Sequence, residues 1–196
     1  MRLLAIALGL SVAFAGINPA MAHPHVFIDN RVTLNFENGA LAGFRTEWRF
    51  DDIFTADLLA QYDLDGDGQF SAAESKAVGE GTLPNLKGFH YFTYAYAGGQ
   101  DLGVLEPSAF QSDIVDGVAR FALTFRFAAP IDARQSKTEI SVYDQEYYVE
   151  VALAQSNPVS IEGDVSGTCK ASVRDDPAHA YFGGFVIPQL IEVTCP

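Results

Sequence analysis

Between residues 63 and 74 the chain reads DLDGDGQFSAAE, a stretch in which oxygen-bearing side chains recur at alternate positions. Asp63, Asp65 and Asp67 stand at positions one, three and five of a twelve-residue calcium loop of the EF-hand type. Gln69 falls at position seven, where the backbone carbonyl binds whatever the side chain, and Ser71 at position nine can act through water. Glu74 at position twelve can bind with both oxygens, and Gly68 sits at position six, where the chain must turn sharply. Phe70 supplies an apolar anchor for the middle of the loop. A solvated Asp/Gly turn would account for DGDG, but not for a glutamate at this distance. The all-oxygen donor set suits calcium, a hard cation, better than zinc or copper.

A second set of candidate ligands depends on processing. Arg2, the apolar run LLAIALGLSVAFAG and the small-residue site Ala20-Met21-Ala22 read as a signal peptide over residues 1–22, which makes His23 the first mature residue and the periplasm the expected compartment. The apolar run is short for a membrane span, so no membrane insertion is expected after cleavage. A terminal His23 offers its α-amino and ring nitrogens to one ion, and His25 adds an imidazole, a set that favours Cu2+, Ni2+, Co2+ or Zn2+. Pro24 has no amide hydrogen and blocks the square-planar chelate in which successive backbone protons are displaced. The bland alternative is a frayed polar terminus that binds metals weakly.

His90 and Asp144 are the speculative partners for that terminus. His90, in GFHYF, reads equally as a core or interface histidine, and His179, in DDPAHAYFGG, as a solvated loop residue. In VYDQEYYVEV, Asp144 with Tyr147 or Tyr148 could form a binding surface, or the tyrosines could pack a strand corner. Neither a Gly-rich phosphate loop nor a nucleophile-and-base signature appears, so no catalytic residue and no enzyme activity are expected.

The formal charge of −13, about −14 once Arg2 leaves with the leader, makes nucleic acid and anionic membranes poor partners. Cys169 and Cys195 read as one disulfide in an exported chain, with a two-cysteine metal site as the competing idea.

These groups need positioning elements. VFIDNRVTLNF and LAGFRTEWRF alternate around Glu37-Asn38-Gly39, a β-hairpin signature. FTADLLAQY and SAAESKAV flank the acidic loop as short helices, and LPNLKGFHYF could add a further helical turn. Strand-like runs follow in FTYAYAG, SAFQSDIV, VARFALTFRFA, TEISVYD, EYYVEVAL, VSIEGDV and FVIPQLIEVT. The pattern predicts a mostly β, α+β fold: one domain over residues 23–196, an antiparallel immunoglobulin-like sandwich with an EF-hand helix-loop-helix inserted at about residues 52–80.

HPHVFID at 23–29, EWRFDDIFT at 47–55, the acidic loop, NLKGFHYFT at 85–93, YDQEYYV at 143–149 and Cys195 together resemble a bacterial periplasmic family, domain of unknown function 1007. Its members are often labelled the periplasmic component of an uncharacterised ABC-type transport system. The resemblance implies an accessory role in divalent-metal traffic beside a membrane transporter or exporter of the nickel/cobalt type, and strengthens His23 and His25 as candidate ligands. The substrate-binding label fits poorly, because a two-lobed ligand clamp needs an α/β pattern absent here. Two alternatives stand beside this reading: a copper histidine-brace carrier or oxidase-type enzyme, and an interaction module whose only ion is structural calcium.

Overall fold

The period-two alternation of VFIDNRVTLNFE produces β1 (Val26–Glu37), which buries Val26, Ile28, Val32, Leu34 and Phe36 on one face and exposes Phe27, Asp29 and Arg31 on the other. The computed structural model in which it is seen describes residues 24–164 and 166–196. The proposed leader and His23 lie outside the described residues. Asn38 and Gly39, both left-handed with φ of 52° and 79°, turn the chain into β2 (Ala40–Phe50).

Two helices follow, α1 (Asp52–Tyr62) and α2 (Ala72–Lys87). The second runs past the expected end near residue 80, even though Pro84 lies inside it and can donate no backbone hydrogen bond. Leu83 and Leu86 pack against the core, and Asn85 Nδ2 approaches the Gly81 carbonyl at 3.4 Å, which holds the last turn in place.

The remaining strands are β3 (Thr93–Ala97), β4 (Gln100–Asp101), β5 (Pro107–Val115), β6 (Val118–Ile131), β7 (Thr138–Val142), β8 (Val149–Leu153), β9 (Val159–Glu162), β10 (Lys170–Asp175) and β11 (Gln189–Thr194). One sheet has the order β5-β6-β2-β1-β8, and β9 also pairs with β1; the other has the order β10-β11-β7-β3-β4. Antiparallel pairing dominates. The exceptions lie on β1, whose residues Val26–Asn30 pair in parallel with β8 and whose later residues pair in parallel with β9.

Both sheets feed one apolar cluster. Leu34, Phe44 and Phe125 from the first meet Ala95, Ile140, Ile191 and Val193 from the second, and the helices add Leu58 and Val78. Full burial of a side chain such as Phe44 stabilises the fold by about 1.5–3 kcal/mol. The chain is therefore α+β and mostly β. A disulfide between Cys169 and Cys195, Cα atoms 4.2 Å apart, ties together the segments flanking the β10–β11 pair.

Candidate functional site

Asp51 begins the construction of the acidic loop. Its Oδ1 accepts from the N–H groups of Ile53 and Phe54 and so caps α1, while its Oδ2 accepts from Phe27 N at 2.8 Å on β1. Partial burial opposes ionisation of this carboxyl, yet the N–H groups of Phe27, Phe54 and Ile53 hold it below the ordinary aspartate range.

At the other end of α1, Asp63 closes the helix and organises the loop. Its Oδ1 accepts from Gly66 N and Asp67 N and its Oδ2 from Gly68 N, at 2.9, 3.2 and 2.9 Å. Gly68 has φ of 77°, a conformation that disfavours any side chain. Ser71 caps α2, and Glu74 completes a capping box, its Oε2 accepting from Ser71 N at 2.9 Å. The other oxygen, Oε1, accepts from Leu64 N at 2.7 Å, so one carboxylate bridges both ends of the loop.

Ligand oxygens of Asp63, Asp65 and Asp67 lie within 4.8 Å of one another. Asp65 and Asp67 are exposed and Glu74 is buried, while Phe70 packs on the core as expected. The bond from Asp67 N favours ionised Asp65, but the charges of Asp67 and Glu74 outweigh it and raise its pKa. Glu74 is shifted the other way by the N–H groups of Ser71 and Leu64. Clustered carboxylates in this arrangement repel one another, and a hard divalent cation would relieve that repulsion. Gln69 and Ser71 occupy the loop between the aspartates and Glu74; the Gln69 side chain donates to Gly68 O.

The N-terminal residues meet a different part of the molecule. His25 N donates to Tyr148 O at 2.9 Å, and the two rings lie 4.8 Å apart. Tyr148 belongs to the connection between β7 and β8, which Asp144 organises. Its carboxylate is buried and accepts from Glu146 N through Oδ1 and from Tyr148 N and Val149 N through Oδ2, each at 3.0 Å.

Facing that connection, His90, Tyr91 and Phe92 are all left-handed, with φ of 54°, 49° and 53°. Such residues cost about 1–3 kcal/mol each and persist where the surroundings impose them. Here Phe92 O accepts from Tyr143 N at 2.8 Å, and Tyr91 and Phe92 are buried. His90 and Asp144 consequently line one cleft of about 150 Å³, together with Tyr94 and Glu146. The structure thus brings together the two residues proposed as metal partners, but His25 is not among those lining the cleft.

His179 is exposed, as expected of a loop residue, but it is engaged by its neighbours. Its Nδ1 lies 2.6 Å from the buried Asp176 carboxylate, and its ring stacks on Tyr96 at 5.2 Å. Nearby, Tyr94 and Tyr143 stack at 4.4 Å, and burial pushes both hydroxyls above the ordinary tyrosine value. Burial likewise pushes Tyr96 up to about 12. These phenols remain protonated near neutral pH and are poorly suited to act as phenolate ligands.

Sequence reasoning did not single out Asp51, although an Asp directly before DIFTADLL is a helix-cap signal. Nor did it anticipate Asp144 as a loop organiser, because the three N–H groups it receives become neighbours only when the chain turns.

A family model described as "Protein of unknown function (DUF1007)" matches residues 8–180. An uncharacterised 15.5 kDa protein in the trpE 3′ region of Spirochaeta aurantia is 30% identical over 140 residues, covering 70% of this chain and 97% of that protein. An uncharacterised protein of Haemophilus influenzae is 27% identical over 178 residues, covering 88% of this chain and 81% of its own length.

Proposed function

The chain belongs to the family described as "Protein of unknown function (DUF1007)", and from that premise we propose that it is an exported calcium-binding accessory protein of divalent transition-metal transport. The observation that carries this reading is the convergence of Asp63, Asp65 and Asp67 in a loop whose Glu74 is held in place by both flanking segments. In this reading the two helices and the loop form a single EF-hand, attached to a sandwich of immunoglobulin-like type. Two sheets sharing one core support the second part of that description. Extracellular calcium modules bind with dissociation constants of about 10⁻⁴ to 10⁻³ M, which suits a permanent clamp.

His23 and His25, freed by leader removal into the periplasm, would then hold the transition metal and present it to a membrane transporter. The start of β1 beside Tyr148, next to the connection that carries Asp144, supports such a position for the terminus. No catalytic step is assigned. A calcium-only interaction module is the second reading. It is favoured by the finding that, among the described residues, no histidine joins a convergent group of three or more metal-ligating side chains.

Thermal denaturation in calcium and in chelator tests the calcium assignment. At about 10 mM calcium the dissociation constants above give about 1.4–2.7 kcal/mol of stabilisation, or a melting temperature higher by about 3–10 °C. Asp65→Asn should abolish most of that gain and, in chelator, melt no lower than the wild type, because Asp65 is exposed and its neutralisation relieves repulsion from Asp67 and Glu74. Equal melting of the wild type in both conditions would sink the reading.

A further inference from the structure

Between α1, the second half of α2 and the first sheet lies a cavity of about 480 Å³. It opens to solvent on one side, and its volume falls within the range of small-molecule sites. Its floor is apolar, built from Ile28, Trp48, Phe50, Phe92, Phe121 and Val149. All six are buried. Polar groups stand along the helices that roof it: Asp57 and Gln61 on α1, Thr82 and Asn85 on α2.

The charge of the lining is one-sided. Asp57 is the acidic residue there, and among the described residues no lysine, arginine or histidine contributes. Asp57 is exposed on α1, and the chain as a whole carries −13. A carboxylate or phosphate headgroup would therefore meet repulsion with no compensating cation, whereas an ammonium would find a partner.

The roof can also yield. The part of α2 above the cavity contains Gly81 and Pro84, both weak helix formers. A Cβ at Gly81 would lie 2.2 Å from the Tyr62 hydroxyl, so enlarging the residue would push that side chain aside.

We propose that this cavity is a binding site for a small amphipathic amine, its apolar body lying against Trp48 and Phe121 and its ammonium at Asp57. The site shares no residue with the acidic loop, and it borders the N-terminal strand, since Val26 and Tyr148, the neighbours of His25, also line it.

Trp48 is the single tryptophan of the chain, so its emission reports on the cavity directly. Decylammonium and decanoate share an apolar chain and differ in head charge; each is titrated into the full processed protein below its aggregation concentration and at physiological ionic strength. The expected result is a saturable Trp48 response to decylammonium at one molecule per chain. Affinity should exceed that for decanoate by about two- to thirtyfold, the ratio expected when one exposed charge attracts one head and repels the other by similar amounts.

Asp57→Asn, an exposed substitution that leaves the fold intact, should shrink that ratio. Thr82→Phe, which fills the space from the roof, should weaken decylammonium at least about tenfold. The proposal is overturned by an absent or non-saturating Trp48 response, by decanoate binding as tightly as the amine, or by an unchanged ratio in Asp57→Asn. The last arm decides the matter even where Thr82→Phe does not fold.

Discussion

Replacing Asp144 with alanine separates the role of metal ligand, read from the sequence, from that of organiser of the β7–β8 connection, seen in the structure. The structure fixes the stakes, because both carboxylate oxygens are engaged by the N–H groups of Glu146, Tyr148 and Val149. Val149 is buried, and stranding its N–H costs about 1–3 kcal/mol. Glu146 and Tyr148 are exposed, so water can replace those bonds at a net loss of about 1 kcal/mol each. Tyr147 between them is left-handed, with φ of 55°, a conformation that the carboxylate helps to impose. The total is about 3–5 kcal/mol, or a melting temperature lower by about 6–20 °C for a chain of this size. Urea denaturation measures it. The loss should be the same in chelator and in added nickel, zinc or copper, because hydrogen bonds to backbone amides do not depend on a metal. Asp144→Asn, which keeps one acceptor oxygen, should fall between the two. A loss below about 1 kcal/mol, or one seen only when metal is present, would refute the organiser role.

Asp51→Asn keeps an oxygen for Ile53 and Phe54 but turns an amide NH2 against Phe27 N, and should cost about 1.5–3 kcal/mol at pH 7. Since the folded pKa of Asp51 is lowered, its contribution is fully present above the unfolded aspartate value and disappears as pH falls through the lower folded value. Denaturation curves of wild type and variant should therefore converge in acid, below the ordinary value of 3.8, and a gap independent of pH would contradict the assignment. One extra residue before His23 should abolish tight copper, nickel or zinc binding by the processed protein, read by calorimetry. Unchanged binding in the extended form would remove the terminus from the metal site. Oxygen consumption driven by reductant in the copper-loaded form would favour the histidine-brace reading over a carrier.

Periodic residues made the framework legible. The hairpin from Val26 to Phe50 could be read from alternation and Asn38-Gly39, and the loop from Asp63 to Glu74 from spacing alone, because each is determined within a short segment. What escaped was set by contacts between distant segments. The parallel pairing of β1 with β8 joins residues more than a hundred positions apart. Inside the first sheet, Thr46 Oγ1 donates to Asn30 Oδ1 at 2.5 Å and accepts from Trp48 Nε1 at 3.0 Å, a buried chain whose members look like ordinary strand positions in the sequence. Strand β10 carries mostly exposed residues and so lacks an alternation to announce it. The left-handed run His90–Phe92 contains no glycine, the residue by which such backbone is usually found, and is held by Tyr143 N instead.

The acidic loop and the N-terminal strand meet opposite ends of one helix. Helix α1 links them: Asp63 closes its C-terminal end and begins the loop, and Asp51 fastens its N-terminal end to Phe27, two residues after His25. Eleven helical residues span about 16 Å, a distance over which exposed charges are largely screened at physiological salt, so direct electrostatic coupling is small. Mechanical coupling would have to move β1. That strand is held by β2 along most of its length and by β8 and β9 on its other side, so a change at the loop can loosen α1 without shifting the strand. Calcium removal should therefore lower the stability of the helical insertion while leaving metal affinity at a His23-Pro24-His25 site nearly unchanged, the behaviour of a clamp and not of a switch.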